Sequence, residues 1–353
     1  MWKGTITPSS SNGVGTFSAT GNFDVQGNVM SLLYGDNYKD QTDLAGKTYA
    51  FYQLFYNNRK VVNAENLSLP ATTLASYCYK NMFQSCTRLT TAPVLPATTL
   101  VNYCYQNMFS GCTSLVTAPE LPATTLKDYC YSNMFRVCTS LVTAPKLPAT
   151  TLATYCYYYM FYGCTSLTTA PELPATILTY SCYDSMFQGC TSFITAPQLP
   201  ATTLATHCYS NMFKDCTNLT TVPQLPVTTL KDYCYSGMFY GCTSLTTAPV
   251  LPATTLASYC YQEMFRSCTN LTIAPELPAT TLVSSCYNSM FRDCSRLNHI
   301  KAMFTATPSS SYTSNWVIGV ASSGTFVKNS TAQWNVTGTY AIPNGWTVET
   351  ASA

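Results

Sequence analysis

The chain has 353 residues, 46% hydrophobic and 9% charged, with a formal net charge of +2. That length can bury a large core, and its 17 Lys and Arg are scattered rather than gathered in a stripe, which excludes nucleic acid and other polyanions as partners. No apolar run approaches the ~20 residues of a membrane span, and the opening MWKGTITPSS lacks the apolar stretch of a secretory leader.

Residues 1–44 are rich in Gly, Ser, Asn and Thr, with Phe17, Phe23, Val25, Val29 and Leu33 interspersed, and are expected to form a small β-rich cap. The chain opens directly into strand-like sequence, as a trimmed secreted protein would. A worn copy of a repeating unit comes next: Ala50-Phe51 stands for Cys-Tyr, Leu54-Phe55 for Met-Phe, Asn58 for a second Cys and Val61 for a Leu. From Leu69 the unit is regular, 26 residues reading LPATTLxxxCYxxMFxxCTxLTTAPx, and it recurs in nine tandem copies, the ninth beginning at Leu277. Self-similarity at such a period is the mark of a solenoid, and 26 residues are too few for a four-stranded propeller blade. The ninth copy decays at Asn298, and residues 303–353 are expected to form a C-terminal β cap around NWVIGV, GTFVK and GWTVE. The expected organisation is therefore a cap over 1–44, a solenoid over 45–302 and a cap over 303–353. Terminal repeats are atypical because one of their faces has no neighbour to bury it.

Within a unit, Leu74, Cys78, Met82 and Cys86 lie four residues apart, with Tyr79 and Phe83 beside them. That spacing predicts one face of a short helix, begun by the Pro and Thr of PATT. Leu89-Thr90-Thr91-Ala92, β-branched and ended by Pro93, predicts a strand. One short strand and one short helix per unit make an α/β solenoid, the right-handed coil of a leucine-rich repeat.

The MFxxC core, followed by TxLTTAP and LP, resembles the BspA-like leucine-rich-repeat surface proteins of gut and oral anaerobic bacteria, over roughly residues 45–302. The resemblance implies surface adhesion and binding to host or neighbouring-cell components. The chain departs from the usual pattern in its longer unit and in Cys-Tyr where many members carry an aliphatic residue and glycine.

All eighteen cysteines belong to the repeat, as Cys78, Cys104, Cys130, Cys156, Cys182, Cys208, Cys234, Cys260 and Cys286 and, eight residues on, Cys86, Cys112, Cys138, Cys164, Cys190, Cys216, Cys242, Cys268 and Cys294. On a helix, eight residues separate two Cα atoms by about 12 Å, too far for a disulfide within one unit. Two ladders of buried free thiols are expected, with disulfides of another register, or reactive or metal-bound sulfur, as alternatives. A C-x7-C spacing does not match the close pairs of zinc sites, and no cofactor or metal is expected.

Catalysis finds no support. His207 and His299 have no nucleophile and acid partner at meaningful spacing, and the 15 acidic residues sit mainly at variable surface positions. There is no Walker loop, no G-x-G-x-x-G after a strand and no H-E-x-x-H. Tyrosine recurs 27 times; one follows the first Cys in every unit and a second precedes it in six of nine. Such rings either pack between coils or offer an aromatic surface to a sugar or a protein.

The position after Ala-Pro changes from copy to copy (Val94, Glu120, Lys146, Glu172, Gln198, Gln224, Val250, Glu276). Glu120, Lys146, Glu172, Gln198, Gln224 and Glu276, with the Thr pairs, are the candidate ligand-binding face. The expected function is a non-enzymatic binding or adhesion protein, extracellular or on a bacterial surface, recognising protein or glycan on a host or neighbouring cell. The alternative is a bacteriophage tail-fibre or receptor-binding protein of a virion.

Overall fold

Each 26-residue unit closes one coil through a backbone device that needs no helix. In the computed structural model, which describes residues 15–351, Tyr77, Asn81 and Ser85 have φ of 62°, 59° and 63°, so one residue in four turns left-handed. The N–H groups alternate in their use. Lys80, Met82, Gln84 and Cys86 donate three residues back, to Tyr77, Tyr79, Asn81 and Phe83. Tyr79, Asn81, Phe83 and Ser85 donate to Cys104, Gln106, Met108 and Ser110 of the next coil. The expected helix is thus corrected to a ribbon of consecutive turns. An α-helix repeats every 3.6 residues and spends all its N–H groups on itself; this ribbon repeats every four and gives half of them to its neighbour. Its side chains fall two in and two out: Cys78, Tyr79, Met82, Phe83 and Cys86 are fully buried. Each buried Met, Phe or Tyr contributes roughly 1.5–3 kcal/mol of transfer free energy, which offsets the cost of an L-residue held at positive φ.

The expected strand shrinks to single parallel bridges: Asn63 to Thr91, Thr91 to Thr117, Thr117 to Thr143 and Thr143 to Thr169. A second row joins Asp43 to Thr73 and Thr125 to Thr151. Between them the chain stays extended, with Pro93, Leu95 and Ala97 buried and Val94, Pro96 and Thr98 exposed. Pro93 and Pro96 lack an N–H, so the ladder cannot lengthen there.

The chain divides into two compact units, Met1–Ala175 and Thr176–Ala353. In the first, β1 (Phe23–Asp24) pairs in parallel with β3 (Val61–Asn63), and β2 (Gly27–Asn28) with β4 (Leu67–Ser68). Phe17 stacks on Phe55 at 5.6 Å, Phe55 on Phe83 at 5.1 Å and Phe51 on Tyr79 at 5.5 Å, so residues 17–68 coil in the manner of the regular units. Residues 1–14 of the expected N-terminal cap lie outside the described residues.

In the second unit, Ile177 bridges Thr203, Thr195 bridges Thr221, and Thr229 bridges Thr255. Its end is a three-stranded parallel sheet of β5 (His299–Ala302), β6 (Thr325–Lys328) and β7 (Thr347–Thr350), in that order. His299 is in register with Thr325, 26 residues on, and Tyr287, Ser289, Phe291 and Asp293 donate to the carbonyls of Tyr312, Ser314, Trp316 and Ile318. The segment after residue 302 therefore continues the coiling of the repeats, with the indole of Trp316 6.1 Å from Phe291. Trp316 itself is fully buried and donates its indole N–H to the Ala341 carbonyl at 2.8 Å.

Candidate functional site

Five rows of side chains run from coil to coil, and their burial decides which can meet a partner. The thiol rows cannot. All eighteen cysteines are buried and unbridged, and no cluster of three or more His, Cys, Asp or Glu suited to a metal ion occurs among the described residues. In the second row, the Sγ–H of Cys86, Cys112, Cys138 and Cys164 donates at 3.0–3.1 Å to the carbonyls of Phe55, Phe83, Phe109 and Phe135. Each such carbonyl already accepts its own turn's N–H, so the thiol occupies the second lone pair. Cys216, Cys242, Cys268 and Cys294 repeat the bond in the second unit. Burial pushes Cys104, Cys164 and Cys234 up to about 12, and such thiols are poor nucleophiles.

The invariant tyrosines are also interior. Tyr79, Tyr105, Tyr131 and Tyr157 are 0–1% exposed and stack face to face at 5.5–6.0 Å. Tyr209, Tyr235, Tyr261 and Tyr287 do the same at 6.0 Å. A sugar needs an open ring face, and here each face is covered by the next ring.

The other tyrosine row is half-buried. Tyr49, Tyr77, Tyr103, Tyr129 and Tyr155 occupy left-handed positions and stack at 4.6–4.7 Å with interplanar angles of 6–20°. Lys80 lies over Tyr77 and Tyr103, at 5.2 and 5.9 Å from the ring centroids. Burial, and then the phenols of Tyr103 and Tyr49, raise the pKa of Tyr77. In the second unit His207 takes a place in the row, 4.3 Å from Tyr233, which lies 4.4 Å from Tyr259. Burial lowers the His207 pKa against the opposing charge of Asp232. His299 lies in β5 and shares no site with it. Sequence reasoning registered the second tyrosine but not this geometry; its recurrence one residue before Cys was the available signal.

The fifth row is the extended stretch after Ala-Pro. Glu120, Lys146 and Glu172 are all exposed in consecutive coils of the first unit, in line with Val94, 72% exposed. Gln198, Gln224 and Glu276 are exposed in the second, in line with Val250. Alternation brings each outward between a buried or half-buried Ala-Pro or Val-Pro pair and a buried Leu, so the backbone presents them one per coil. A groove of about 510 Å³ opens between two coils, with Lys146 and Glu172 on its walls and Pro145, Pro148, Pro171 and Pro174 along it. Glu276 pairs with Lys301 at 3.0 Å. These rows present varied charge on a rigid, proline-framed surface and bring no nucleophile, base and acid together.

Residues 48–142, 128–238 and 235–314 match the family model described as BspA type Leucine rich repeat region (6 copies). A crystal structure of a leucine-rich repeat protein from Bacteroides ovatus is similar over 85% of this chain and 77% of that chain, at 16% identity and a TM-score of 0.47. No curated protein matches the chain. Among the described residues, no helix is long and apolar enough to cross a membrane.

Proposed function

The chain belongs to the BspA-type leucine-rich-repeat family, and from that premise we propose that it is a non-enzymatic binding protein of a bacterial surface, recognising protein or glycan on a host or neighbouring cell. In this reading the repeats of each compact unit wind as right-handed coils, which residues 17–44 extend in the first unit and residues 303–351 in the second. The binding face is the row Glu120, Lys146, Glu172 in the first unit and Gln198, Gln224, Glu276 in the second. One observation carries this reading: the row is an exposed position at which charge changes from coil to coil between a Pro and a Leu that stay constant. A scaffold needing only solubility has no use for a rigid frame around its variable residue, whereas a recognition surface needs that combination.

An array of glycans and extracellular-matrix proteins, probed with the intact chain and with a Lys146→Glu/Glu172→Lys exchange, tests it. Net charge and fold are unaltered by the exchange, so a ligand of this face loses at least tenfold in affinity or changes identity. Ligands bound equally by both proteins would place recognition elsewhere. Selective capture of a bacterial envelope polysaccharide in place of host or matrix ligands would favour a phage receptor-binding role.

A further inference from the structure

The half-buried tyrosine row has a geometry that serves no packing need the buried row does not already meet. Its rings are closer, at 4.6–4.7 Å against 5.5–6.0 Å for Tyr79 to Tyr157. They are held there at a conformational cost, since Tyr49, Tyr77, Tyr103, Tyr129 and Tyr155 all have φ between 55° and 62°. Phenols in consecutive coils are thus fixed side by side, with partial access to solvent. The buried rows beneath them carry the other oxidisable groups, Tyr79, Met82 and the thiols, at 0% exposure.

From this juxtaposition we infer that Tyr49, Tyr77, Tyr103, Tyr129 and Tyr155 form an oxidative cross-linking site, at which hydrogen peroxide and a haem peroxidase join tyrosines of successive coils into dityrosine. Each of two adjacent phenols gives up one electron and its phenolic proton, leaving two phenoxyl radicals. These couple through their ortho carbons in one C–C bond. The two displaced ortho hydrogens move to the oxygens and restore both phenols. The two electrons and two protons reduce one peroxide to two waters, so the protein loses two hydrogens per link.

Two features favour coupling within the row over other fates. Neighbouring rings are held in contact at 4.6–4.7 Å, so phenoxyl radicals formed on adjacent coils meet each other before any partner from solution. The thiols are protonated and enclosed, the state in which sulfur oxidises least readily. A link between coils is a covalent staple along the axis in which a repeat array otherwise holds by nearest-neighbour contacts alone. Tyr233 and Tyr259, at 4.4 Å and 4°, make the corresponding pair in the second unit. Tyr158 and Tyr159 are as close, at 4.3 Å, but meet edge to face at 87°, and they serve as the internal control.

The test exposes the intact chain to a haem peroxidase with limiting peroxide and follows dityrosine fluorescence, with peptide mass spectrometry to locate the links. The expected result is a yield per chain independent of protein concentration, with links mapped to Tyr49–Tyr77, Tyr77–Tyr103, Tyr103–Tyr129 and Tyr129–Tyr155. Prior unfolding in denaturant lowers the yield several-fold. A Tyr103→Phe/Tyr129→Phe double variant keeps the stacked rings and loses at least half of the first unit's links. A yield rising in proportion to protein concentration, links centred on Tyr158–Tyr159, or oxidation falling first on cysteine would each overturn the inference. Should the double variant fold poorly, the mapped positions in the unaltered chain decide the matter.

Discussion

Val137 is the residue at which the turn ribbon is most strained, and replacing it tests the backbone device directly. Its φ is 59°, yet it is β-branched, a residue type for which the left-handed region is a genuine outlier. Glycine fills the equivalent place at Gly111, Gly163, Gly189 and Gly241, with φ of 69–75°. Val137→Gly removes a left-handed penalty of about 1–2 kcal/mol and more for the branched Cβ, against about 0.5–1 kcal/mol for the greater freedom of glycine in the unfolded chain. The expected net gain is roughly 1 kcal/mol, a rise in thermal midpoint of about 2 °C in a chain of this size. The reciprocal change, Gly163→Val, meets little steric obstruction, since a Cβ there would lie 3.6 Å from Val137 Cγ2, an ordinary contact. Its expected cost of about 1–2 kcal/mol is therefore conformational. Thermal unfolding of both variants, monitored by circular dichroism, reads the two signs. If Val137→Gly destabilises the protein while Gly163→Val leaves it unchanged, these positions are not left-handed and the ribbon is wrong.

The packing sets three further outcomes. Burial raises Asp184 from 3.8 to about 6, against the hydrogen bonds of Ser185 and Asn211, so the native state holds the extra proton between those values. Stability is therefore lost as pH climbs from about 4 through 6, and Asp184→Asn should flatten that slope and stabilise the protein at neutral pH by up to about 2 kcal/mol, read from urea midpoints across pH. Thiol-reactive dye at pH 8 should label few of the eighteen cysteines in the native protein and most after denaturation without reductant, because burial holds thiols such as Cys104 and Cys164 near 12; low labelling in both states would mean disulfides. Gly324→Ala should destabilise by roughly 1–3 kcal/mol, since its Cβ would meet the Asn298 carbonyl oxygen and lie 2.8 Å from the carbonyl carbon; an unchanged melting curve would refute that close approach.

The coil itself was legible in the sequence, because one 26-residue period carries every cysteine and the inward positions barely change. Its local structure was not. A spacing of four in Leu74, Cys78, Met82 and Cys86 satisfies a helix face over a short run, and only its failure to drift over twelve residues marks a true four-residue period. The left-handed residues that set this period are announced by glycine at 111, 163, 189, 237 and 241 and by the asparagines at 81, 107, 133 and 211, but elsewhere they are Tyr, Ser and even Val, whose types point away from positive φ. The strand was overestimated because Thr90 and Thr91 favour extension while the prolines after them remove the donors of a longer ladder. The continuation of coiling past residue 302 was hidden by substitution, with Trp316 where a methionine recurs and Val317 where a phenylalanine recurs, since Phe291 donates to the Trp316 carbonyl as Phe265 does to that of Met290. For the candidate face, exposure could be read from variation at the position after Ala-Pro, whereas the half-buried tyrosine row depends on a left-handed backbone that residue types alone do not disclose.

The far-ultraviolet circular dichroism spectrum of the unaltered chain tests the coil architecture most directly. Only Ser31–Tyr34 and Ser310–Thr313 are α-helical among the described residues, so the spectrum should lack the double minimum of a helical protein. A pronounced helical double minimum, which one short helix in each of nine repeats would produce, would contradict the alternation of hydrogen bonds on which the stacked rows depend.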